Sequence, residues 1–398
     1  MNILTISAID SSTGGASRVA MDLHHAYRDR GHTSRVLAGK KTSADPDIAE
    51  LKRPLWRKGL SYLMSNDFDF FDGRQILDSG AFREADIVHC HNLSGWYFNL
   101  PILPILAKLK PVVWTLHDMW AITPRSAYTS SDVVQDGLYE LSDPEFYPST
   151  LWNNDFRLGR RKTSILSRAQ LHLVTPCKWL ESKVARSHLV ETPRTTIYNG
   201  IDASTFGGSR GSEFRSSVSP DDAPTVTFVG APNNPSKGYD VFRLIAASFE
   251  HENVRFVTVG GPQNSLQGNV LEIARTGDKK QMADILVASD VVVMPSRFEV
   301  FPLLMLEALA CGTPVVGYGA GGMSELLDRA PGCQTVPVGD LQALREAVIA
   351  SIERPRAERE AMAPRLREIV VQDFSVDKMA ANYLELFDQL ISQRRGAV

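Results

Sequence analysis

Apolar and polar positions divide the chain into two stretches that repeat one plan, in which short apolar runs alternate with segments of helical length. The first stretch has runs at Ile3–Ser7, Ser34–Ala38, Asp86–Cys90, Val112–Leu116 and Leu171–Val174. The second has them at Thr225–Val229, Val254–Val259, Asp290–Met294, Pro314–Val316 and Gln334–Val336. Short continuous apolar runs between helices are typical of a parallel sheet covered on both faces. The pattern predicts an α/β fold of two Rossmann-like domains with a ligand cleft between them.

Domain boundaries follow from the segments between and after these runs. Asp202–Pro224 is rich in Ser, Gly and Asp, which predicts a linker and a hinge for domain closure. Beyond Gly339 the pattern is helical, and its last helix, Val376–Ile391, has one apolar face. We therefore predict an acceptor-side domain over 1–200, onto which a helix from 375–398 packs back, and a donor-binding domain over 201–374.

Composition narrows the class of protein. A net charge of −3 does not indicate the basic surface that binds nucleic acid. A hydrophobic content of 43% argues against an intrinsically disordered chain. No apolar window reaches the ~18 residues of a membrane span, and the first residues do not resemble a signal peptide. The four widely spaced cysteines suit reduced thiols, so we expect a cytoplasmic protein. Leu51–Met64 mixes basic and apolar residues, which fits either a solvated loop or peripheral contact with an anionic membrane.

The segment Ser296–Pro314 is the most informative one. Pro302 suits a first helical position, and Gly312 suits a helix end. Glu307 interrupts an otherwise apolar helix, and Glu299 precedes it where the helix dipole favours an anion such as a phosphate. The residues alone leave two interpretations open: a donor site, or a solvent-facing Glu307 with a dipole-complementing Glu299.

Glu299, Glu307 and the run Ala308-Leu309-Ala310-Cys311-Gly312-Thr313-Pro314 resemble the donor-site signature of retaining GT-B glycosyltransferases of family 4. The resemblance implies that Glu299 lies beside the donor sugar and that Glu307 binds the ribose hydroxyls. It also implies donor contacts from the intervening residues Val300, Phe301, Pro302 and Leu303.

Three further segments resemble the same family. Gly14, Gly15 and Arg18 follow a strand and precede a helix, and the family's equivalent loop faces the donor phosphates. Lys237 stands in a Lys-Gly pair whose lysine contacts the diphosphate in that family. His117 opens a His-Asp-x-Trp run, typical of the colanic-acid and exopolysaccharide branch, and the resemblance implies that it lies next to the transferred sugar.

The chain departs from the family pattern at three places. Ala231 stands where an arginine usually accompanies the lysine, so a phosphate cation is missing unless Arg18 or Arg297 replaces it. Pro302 stands where a glycine is common. Ala121–Arg125 replaces the usual continuation of the His-Asp-x-Trp run, which makes the acceptor pocket the least transferable part.

The resemblance implies an enzyme, a hexosyltransferase that acts with retention from a nucleotide diphosphate sugar on a hydroxyl of a glycan or lipid-linked acceptor. We expect a catalytic set of His117, Glu299 and Lys237, with no metal and no cofactor besides the donor substrate. Two alternatives stay open: a GT-B nucleotide-sugar epimerase, and an inactive nucleotide-sugar-binding subunit, which Ala231 makes conceivable.

Overall fold

A computed structural model describes residues 1–10, 14–141, 151–207, 211–219, 221–249 and 251–396. The chain divides into two compact units, which we call the first unit (Met1–Tyr198 with Met379–Val398) and the second unit (Asn199–Lys378). The chain passes from the first unit to the second after Tyr198, two residues before the predicted boundary, and returns at Met379.

The first unit contains a seven-stranded sheet in the order β3-β2-β1-β4-β5-β8-β9, with every neighbouring pair parallel. A short antiparallel hairpin, β6 and β7, stands apart from it. The strands are β1 Asn2–Ile9, β2 Thr33–Lys40, β3 Ile48–Glu50, β4 Ile87–Cys90, β5 Val112–Thr115, β6 Val134–Gln135, β7 Leu138–Tyr139, β8 His172–Thr175 and β9 Arg194–Thr196.

Helices follow most strands of this sheet because the crossover between parallel strands needs a connection of helical length. They are α1 Gly15–Asp29, α2 Leu55–Leu63, α3 Arg74–Leu77, α4 Gly80–Glu84, α5 Leu103–Leu109, α6 Asp155–Leu166 and α7 Lys178–Val184, with 3₁₀ turns at Leu100–Ile102 and Trp120–Ile122.

The second unit has its own seven-stranded sheet, in the order β12-β13-β11-β10-β14-β15-β16, parallel except at the β12–β13 edge. Its strands are β10 Thr225–Val229, β11 Arg255–Gly261, β12 Ser265–Gln267, β13 Val270–Ala274, β14 Val291–Met294, β15 Val315–Tyr318 and β16 Gln334–Val336. Its helices are α8 Ala203–Phe206, α9 Gly211–Val218, α10 Tyr239–Ala247, α11 Lys279–Ala288, α12 Leu303–Cys311, α13 Ser324–Leu327, α14 Leu341–Ile352 and α15 Arg356–Asp373, with a 3₁₀ turn at Pro235–Lys237.

All ten apolar runs form strands of these two sheets, so the predicted α/β class is confirmed. The prediction that Asp202–Pro224 is a linker is wrong, whereas a hinge role for it stays a prediction. The segment belongs to the second unit, where it forms α8 and α9, Phe206 is buried, and Phe214 packs against the core. Asp202 caps α8, because its carboxylate accepts from the Ser204 N–H.

The last helix, α16 (Val376–Gly396), packs on the first unit from Met379 onward, as the amphipathic pattern predicts. The Tyr383 hydroxyl lies 2.8 Å from the Thr115 hydroxyl at the end of β5, and the Phe387 ring lies 5.8 Å from that of Tyr27. Near its end, the Arg394 guanidinium donates to the carbonyl of Ala107 at 3.0 Å. Among the described residues, no helix combines the length and apolarity that crossing a bilayer requires.

Candidate functional site

The donor-type residues of the second unit centre on an ion pair between Lys237 and Glu299. Nζ of Lys237 donates to Oε1 of Glu299 at 2.6 Å, and the Glu299 side chain is only 7% exposed. The lysine lies in the 3₁₀ turn before α10, and the glutamate lies between β14 and α12. Two loops that follow neighbouring strands, β10 and β14, therefore bring these side chains together at the carboxyl edge of the sheet, where α/β proteins bind ligands.

Two glycines permit the close approach of the loops around this pair. Gly238 has φ +74°, and a Cβ there would lie 2.1 Å from the carbonyl oxygen of Pro295. Gly321 has φ +62°, and a Cβ there would lie 2.1 Å from the carbonyl oxygen of Glu299. Any other residue would clash with backbone at both positions, so these glycines fix the loops that carry Lys237 and Glu299.

The helix α12 follows Glu299 directly. Gly312 ends it with φ +80°, as predicted, but Pro302 is its N-cap in extended conformation (ψ 133°) and Leu303 is its first residue, so the prediction of Pro302 as first helical residue is wrong. Proline is compatible with this cap because its fixed φ suits an extended residue as well as a helical one. Glu307 is 6% exposed, which excludes the alternative of a solvent-facing glutamate.

The other predicted donor residues of this segment form its packed support. Val300, Phe301 and Leu303 are buried, and the Phe301 ring stacks on that of Phe374 at 5.7 Å. The Asn199 amide donates to the carbonyl oxygen of Phe301 at 3.2 Å. Their side chains fix the backbone before α12, whose first-turn N–H groups have no partner within the helix.

Arg297 does not replace the missing family arginine at Ala231. Its guanidinium makes two hydrogen bonds to the Asp240 carboxylate, at 2.9 and 2.5 Å, and a third to the carbonyl of Pro235. The guanidinium therefore serves to join the loops rather than to offer a charge to a ligand. Arg18, the other candidate, lies in the first unit with its Nε 3.7 Å from the Asp22 carboxylate.

In the first unit, Gly14 and Gly15 stand at the start of α1. Both are exposed, and Gly14 is the N-cap with φ +103°, a conformation that favours glycine. Apart from the chain neighbours and the helix's own backbone, no atom of the described residues lies within 4 Å of the place where a Cβ would be at either glycine. Ser11, Ser12 and Thr13 of the same loop lie outside the described residues.

His117 follows β5 and is joined to a second histidine. Its Nε2 lies 2.9 Å from Nδ1 of His91, which follows β4, and the two rings stack at 15°. His89 lies against His91 with ring centroids 4.2 Å apart. Burial lowers the pKa of His89 and of His117 to about 3, and burial beside these rings lowers that of His91 well below its usual value. All three imidazoles are therefore neutral at pH 7.

The position of the shared proton follows from the other nitrogen of His91. Nε2 of His91 is buried and has no hydrogen-bond partner among the described residues. A buried N–H without an acceptor is rarer than a buried acceptor without a donor. We therefore assign the proton to Nδ1 of His91, which donates to Nε2 of His117. His117 then carries its own proton on Nδ1.

The Asp-x-Trp part of the run anchors the loop that carries His117. Trp120 is buried, its backbone N–H donates to the Asp118 carboxylate at 2.9 Å, and its indole N–H donates to Asp67 at 3.1 Å. Nζ of Lys162 donates to the carbonyls of Trp120 and Thr123 at 2.6 and 3.0 Å. Burial raises the pKa of Asp67 and of Asp118 to about 6, and it lowers that of Lys162 to about 7.

Sequence reasoning missed four residues of this first-unit cluster: His89, His91, Asp67 and Lys162. A His-x-His pair at the end of a predicted strand is a signal that could have found the first two, because ligand-facing residues gather at carboxyl strand ends. Asp67 and Lys162 carry no local signal. Asp67 lies in a region without periodicity, and the sequence around Lys162 is typical of a lysine on a helix surface.

Comparison with known proteins agrees with this geometry. A family model described as Glycosyltransferase Family 4 matches residues 13–205, and one described as Glycosyl transferases group 1 matches residues 223–354. A protein of Escherichia coli K12 named as a colanic acid biosynthesis glycosyl transferase, WcaC, is 24% identical over 83% of this chain and 86% of its own.

Solved structures match over the whole chain. Sucrose-phosphate synthase of Thermosynechococcus elongatus superposes with a TM-score of 0.72 at 19% identity, covering 99% of this chain and 100% of that one. HepE of Anabaena, solved in complex with UDP-glucose, gives a TM-score of 0.67 at 18% identity, with both chains covered completely (100%). The two units, the donor-type segment and these matches lead to one conclusion: the chain belongs to the family 4 glycosyltransferases and has the GT-B fold.

Proposed function

We propose that the protein transfers a hexosyl unit from a nucleotide diphosphate sugar to a hydroxyl of a glycan or lipid-linked acceptor, with retention at the anomeric carbon, in surface polysaccharide biosynthesis. The observation that carries the proposal is the Lys237–Glu299 pair beside the N-terminus of α12, with Glu307 buried in that helix. Retention and the polysaccharide context rest on the family and on WcaC.

In this proposal the second unit holds the donor. The Lys237 ammonium and the N-terminus of α12 stabilise the negative charge that develops on the departing diphosphate. Glu299 orients the lysine and accepts from sugar hydroxyls, while Glu307 accepts from the ribose. No metal ion or cofactor takes part. HepE, which was solved with UDP-glucose, makes a uridine donor the first to test.

His117 of the first unit acts on the transferred sugar as a neutral group. With its pKa lowered by burial, it offers a hydrogen bond from Nδ1 rather than a positive charge. Such a donor fixes the orientation of a sugar hydroxyl without attracting the diphosphate away from Lys237. Its contribution is therefore to turnover, whereas that of Glu307 is to binding.

The matched pair Glu307→Ala and His117→Ala tests these roles. A lost hydrogen bond to a charged group costs about 1.5–3 kcal/mol, so Glu307→Ala should weaken nucleotide binding by roughly 10- to 150-fold. His117→Ala should leave nucleotide affinity unchanged and suppress turnover. Calorimetry with UDP, GDP, ADP and dTDP measures the first effect, and product formation from a labelled donor measures the second. Full transfer activity in both variants would show that the site assignment is wrong.

The two alternatives give different results in the same assays. An epimerase would release the nucleoside diphosphate from the donor without any acceptor. An inactive subunit would bind a nucleotide and form no product with any acceptor. Transfer that depends on an acceptor, with the α or β configuration of the donor kept in the product, is the result that only a retaining transferase gives.

We also propose that the protein works on the cytoplasmic face of a membrane, which it contacts through α2. This helix exposes apolar side chains and buries a polar one: Ser61 is its buried residue, whereas Leu55, Trp56 and Leu63 are 85%, 64% and 62% exposed. The indole N–H of Trp152, itself exposed, donates to the carbonyl of Leu63, which extends the apolar surface. Arg57 and Lys58 interrupt it with positive charge, a combination that favours an anionic bilayer.

Vesicle flotation tests this contact. The protein should float with vesicles that contain an anionic lipid and stay behind with zwitterionic vesicles or at high salt. The double variant Trp56→Ser, Leu63→Ser should not float, whereas Leu266→Ser, which removes a 73% exposed leucine of the second unit, should behave as wild type. Equal flotation of the double variant would contradict the proposal and leave the donor site untouched.

A further inference from the structure

The first unit contains a second group of ligand-type side chains, which the transfer reaction does not use. His24 and His25 lie on α1, more than two helical turns beyond Gly15, and Asp45 lies in the turn between β2 and β3. One atom from each of the three side chains lies within 4.8 Å of the other two. Two imidazoles and a carboxylate are a donor set that transition metals favour.

The surroundings of His24 resemble those of a metal-binding histidine, with one ring nitrogen hydrogen-bonded and the other facing a carboxylate. His24 is fully buried, and its Nδ1 lies 2.8 Å from the Ser34 hydroxyl. Its Nε2 has no hydrogen-bond partner among the described residues and faces Oδ2 of Asp45 at 3.6 Å, too long for a hydrogen bond. Nε2 of His24 and Oδ2 of Asp45 thus face each other without a hydrogen bond, close to the roughly 3.3 Å spacing of two ligands on one tetrahedral metal ion.

Hydrogen bonds to the surrounding turn also fix the position of Asp45. Its Oδ1 accepts the backbone N–H of Asp47 at 2.9 Å. Nζ of Lys41 donates to the backbone carbonyls of Asp45 and Ile48, both at 2.7 Å, which fixes the turn. Only Oδ2 is therefore directed at His24.

We propose that His24, His25 and Asp45 bind one divalent cation of the zinc class. Imidazole nitrogen suits Zn²⁺, Ni²⁺ or Co²⁺ rather than Mg²⁺ or Ca²⁺, which prefer oxygen. A water molecule fills the fourth position. Tetrahedral Zn²⁺ with bonds of about 2.0–2.1 Å needs neighbouring ligand atoms roughly 3.3 Å apart, so the group must contract. His25 is exposed and can turn its ring inward, whereas His24 and Asp45 stay where they are.

Arg28 occupies the cation position when no metal is bound. Its guanidinium lies 3.0 Å from the same Oδ2 of Asp45 and 3.5 Å from the Asp47 carboxylate. On metal binding the side chain, which is 41% exposed, keeps Asp47 as its partner and releases Asp45. The metal then ties α1 to the β2–β3 turn and stabilises the first unit by mass action.

Calorimetric titration of the full chain with Zn²⁺ tests the site, with thermal unfolding as a second measurement. The wild type should bind one equivalent and unfold at a higher temperature with the metal. His25→Ala and Asp45→Asn should each weaken binding by at least about 100-fold, since loss of a mere outer-shell partner already costs 10- to 100-fold. Arg28→Met should bind more tightly than wild type because it removes the competing cation.

Two variants serve as matched controls. His251→Ala removes an exposed histidine of the second unit, and Cys333→Ser removes the one thiol that is not fully buried; both should bind Zn²⁺ as the wild type does. His25 is exposed, so its alanine variant should keep the metal-free unfolding temperature. Wild-type affinity in His25→Ala and Asp45→Asn, or no stoichiometric binding by the wild type, would overturn the proposal.

Discussion

The two units each contain a seven-stranded sheet, but they differ in the charge of the polar side chains at their candidate sites. The first unit buries three neutral histidines, His89, His91 and His117, against one another, whereas the second presents the Lys237–Glu299 ion pair beside a helix N-terminus. Eight of the nine histidines belong to the first unit, which leaves only His251 in the second. The difference matches two tasks: a charged diphosphate requires fixed charges, and an uncharged sugar requires hydrogen bonds of fixed direction.

The largest expected effect is that of Lys237→Ala in the second unit. Loss of one preorganised group that stabilises transition-state charge costs about 3–4 kcal/mol, so kcat/KM should fall roughly 10²- to 10³-fold. The loss should be severe here because Ala231 leaves no neighbouring cation of the family type. Initial rates with a labelled donor give the measurement.

Lys178→Ala is the matched control for this change. Lys178 also pairs with a glutamate, Glu181, at 2.9 Å, but 64% of its side chain is exposed and it lies on α7 of the first unit. Its removal should leave kcat/KM within a factor of two. If Lys237→Ala had as small an effect, the charged character that distinguishes the second unit would not serve catalysis.

The next largest effect concerns stability, and it tests the buried network of the first unit. Lys162→Met removes a buried amine whose Nζ donates to the carbonyls of Trp120 and Thr123, and each buried acceptor left without its donor costs about 1–3 kcal/mol. Urea unfolding measures it. All six tryptophans belong to the first unit, so their fluorescence reports the unfolding of that unit alone.

Arg365→Ala is the control in the second unit. Arg365 pairs with Glu368 three residues later on the surface of α15, where both side chains are exposed, and such pairs contribute little. Its effect should be too small to resolve by urea unfolding. If Lys162→Met were equally mild, Lys162 would not anchor the loop that carries His117.

The contrast also explains how much the sequence predicts. Ten of the fourteen strands in the two sheets follow from apolar runs, whereas β3, β9, β12 and β13 were missed. The donor segment follows from consecutive residues, because Glu299, α12 and Gly312 adjoin along the chain. The cluster around His117 has no such continuity. His91, Asp67 and Lys162 reach it from three distant parts of the chain, and only the packed fold determines which of them meet. The helices within Asp202–Pro224 were missed because the segment is rich in Ser, Gly and Asp, the composition of a loop.

Acidification should destabilise the first unit by a smaller amount. His89, His91 and His117 have folded pKa values far below their usual value of 6.5. Near pH 6 the unfolded chain therefore binds more protons at these residues than the folded chain, and acidification favours unfolding. Asp67 and Asp118 act in the opposite direction, since their folded pKa values of about 6 lie above the usual 3.8. His188 of the same unit adds a fourth loss, because burial lowers its pKa to about 4, so four losses against two gains give a net loss of about 2–3 kcal/mol between pH 6.5 and 5.5.

Tryptophan fluorescence during urea unfolding at these pH values measures the loss in the first unit. His117→Asn has one fewer buried imidazole, so its stability should fall less steeply with acid than that of the wild type. A first unit whose stability rose or stayed constant on acidification would contradict the neutral state assigned to the three histidines.

The smallest expected effect distinguishes a positioning role of His91 from a packing role. His91→Phe keeps an aromatic ring but removes the Nδ1 donor to His117, so His117 is free to adopt the other tautomer. We expect kcat to fall about 10-fold, equivalent to about 1.4 kcal/mol, with the donor KM unchanged because the second unit binds the nucleotide. His91→Asn places an amide N–H near the former Nδ1 and should recover most of kcat despite its poorer packing. If His91→Phe were the more active variant, turnover would depend on the packing of the His91 ring and not on its hydrogen bond to His117. The contrast between a first unit that acts through hydrogen bonds and a second unit that acts through charges would then lose its chemical basis.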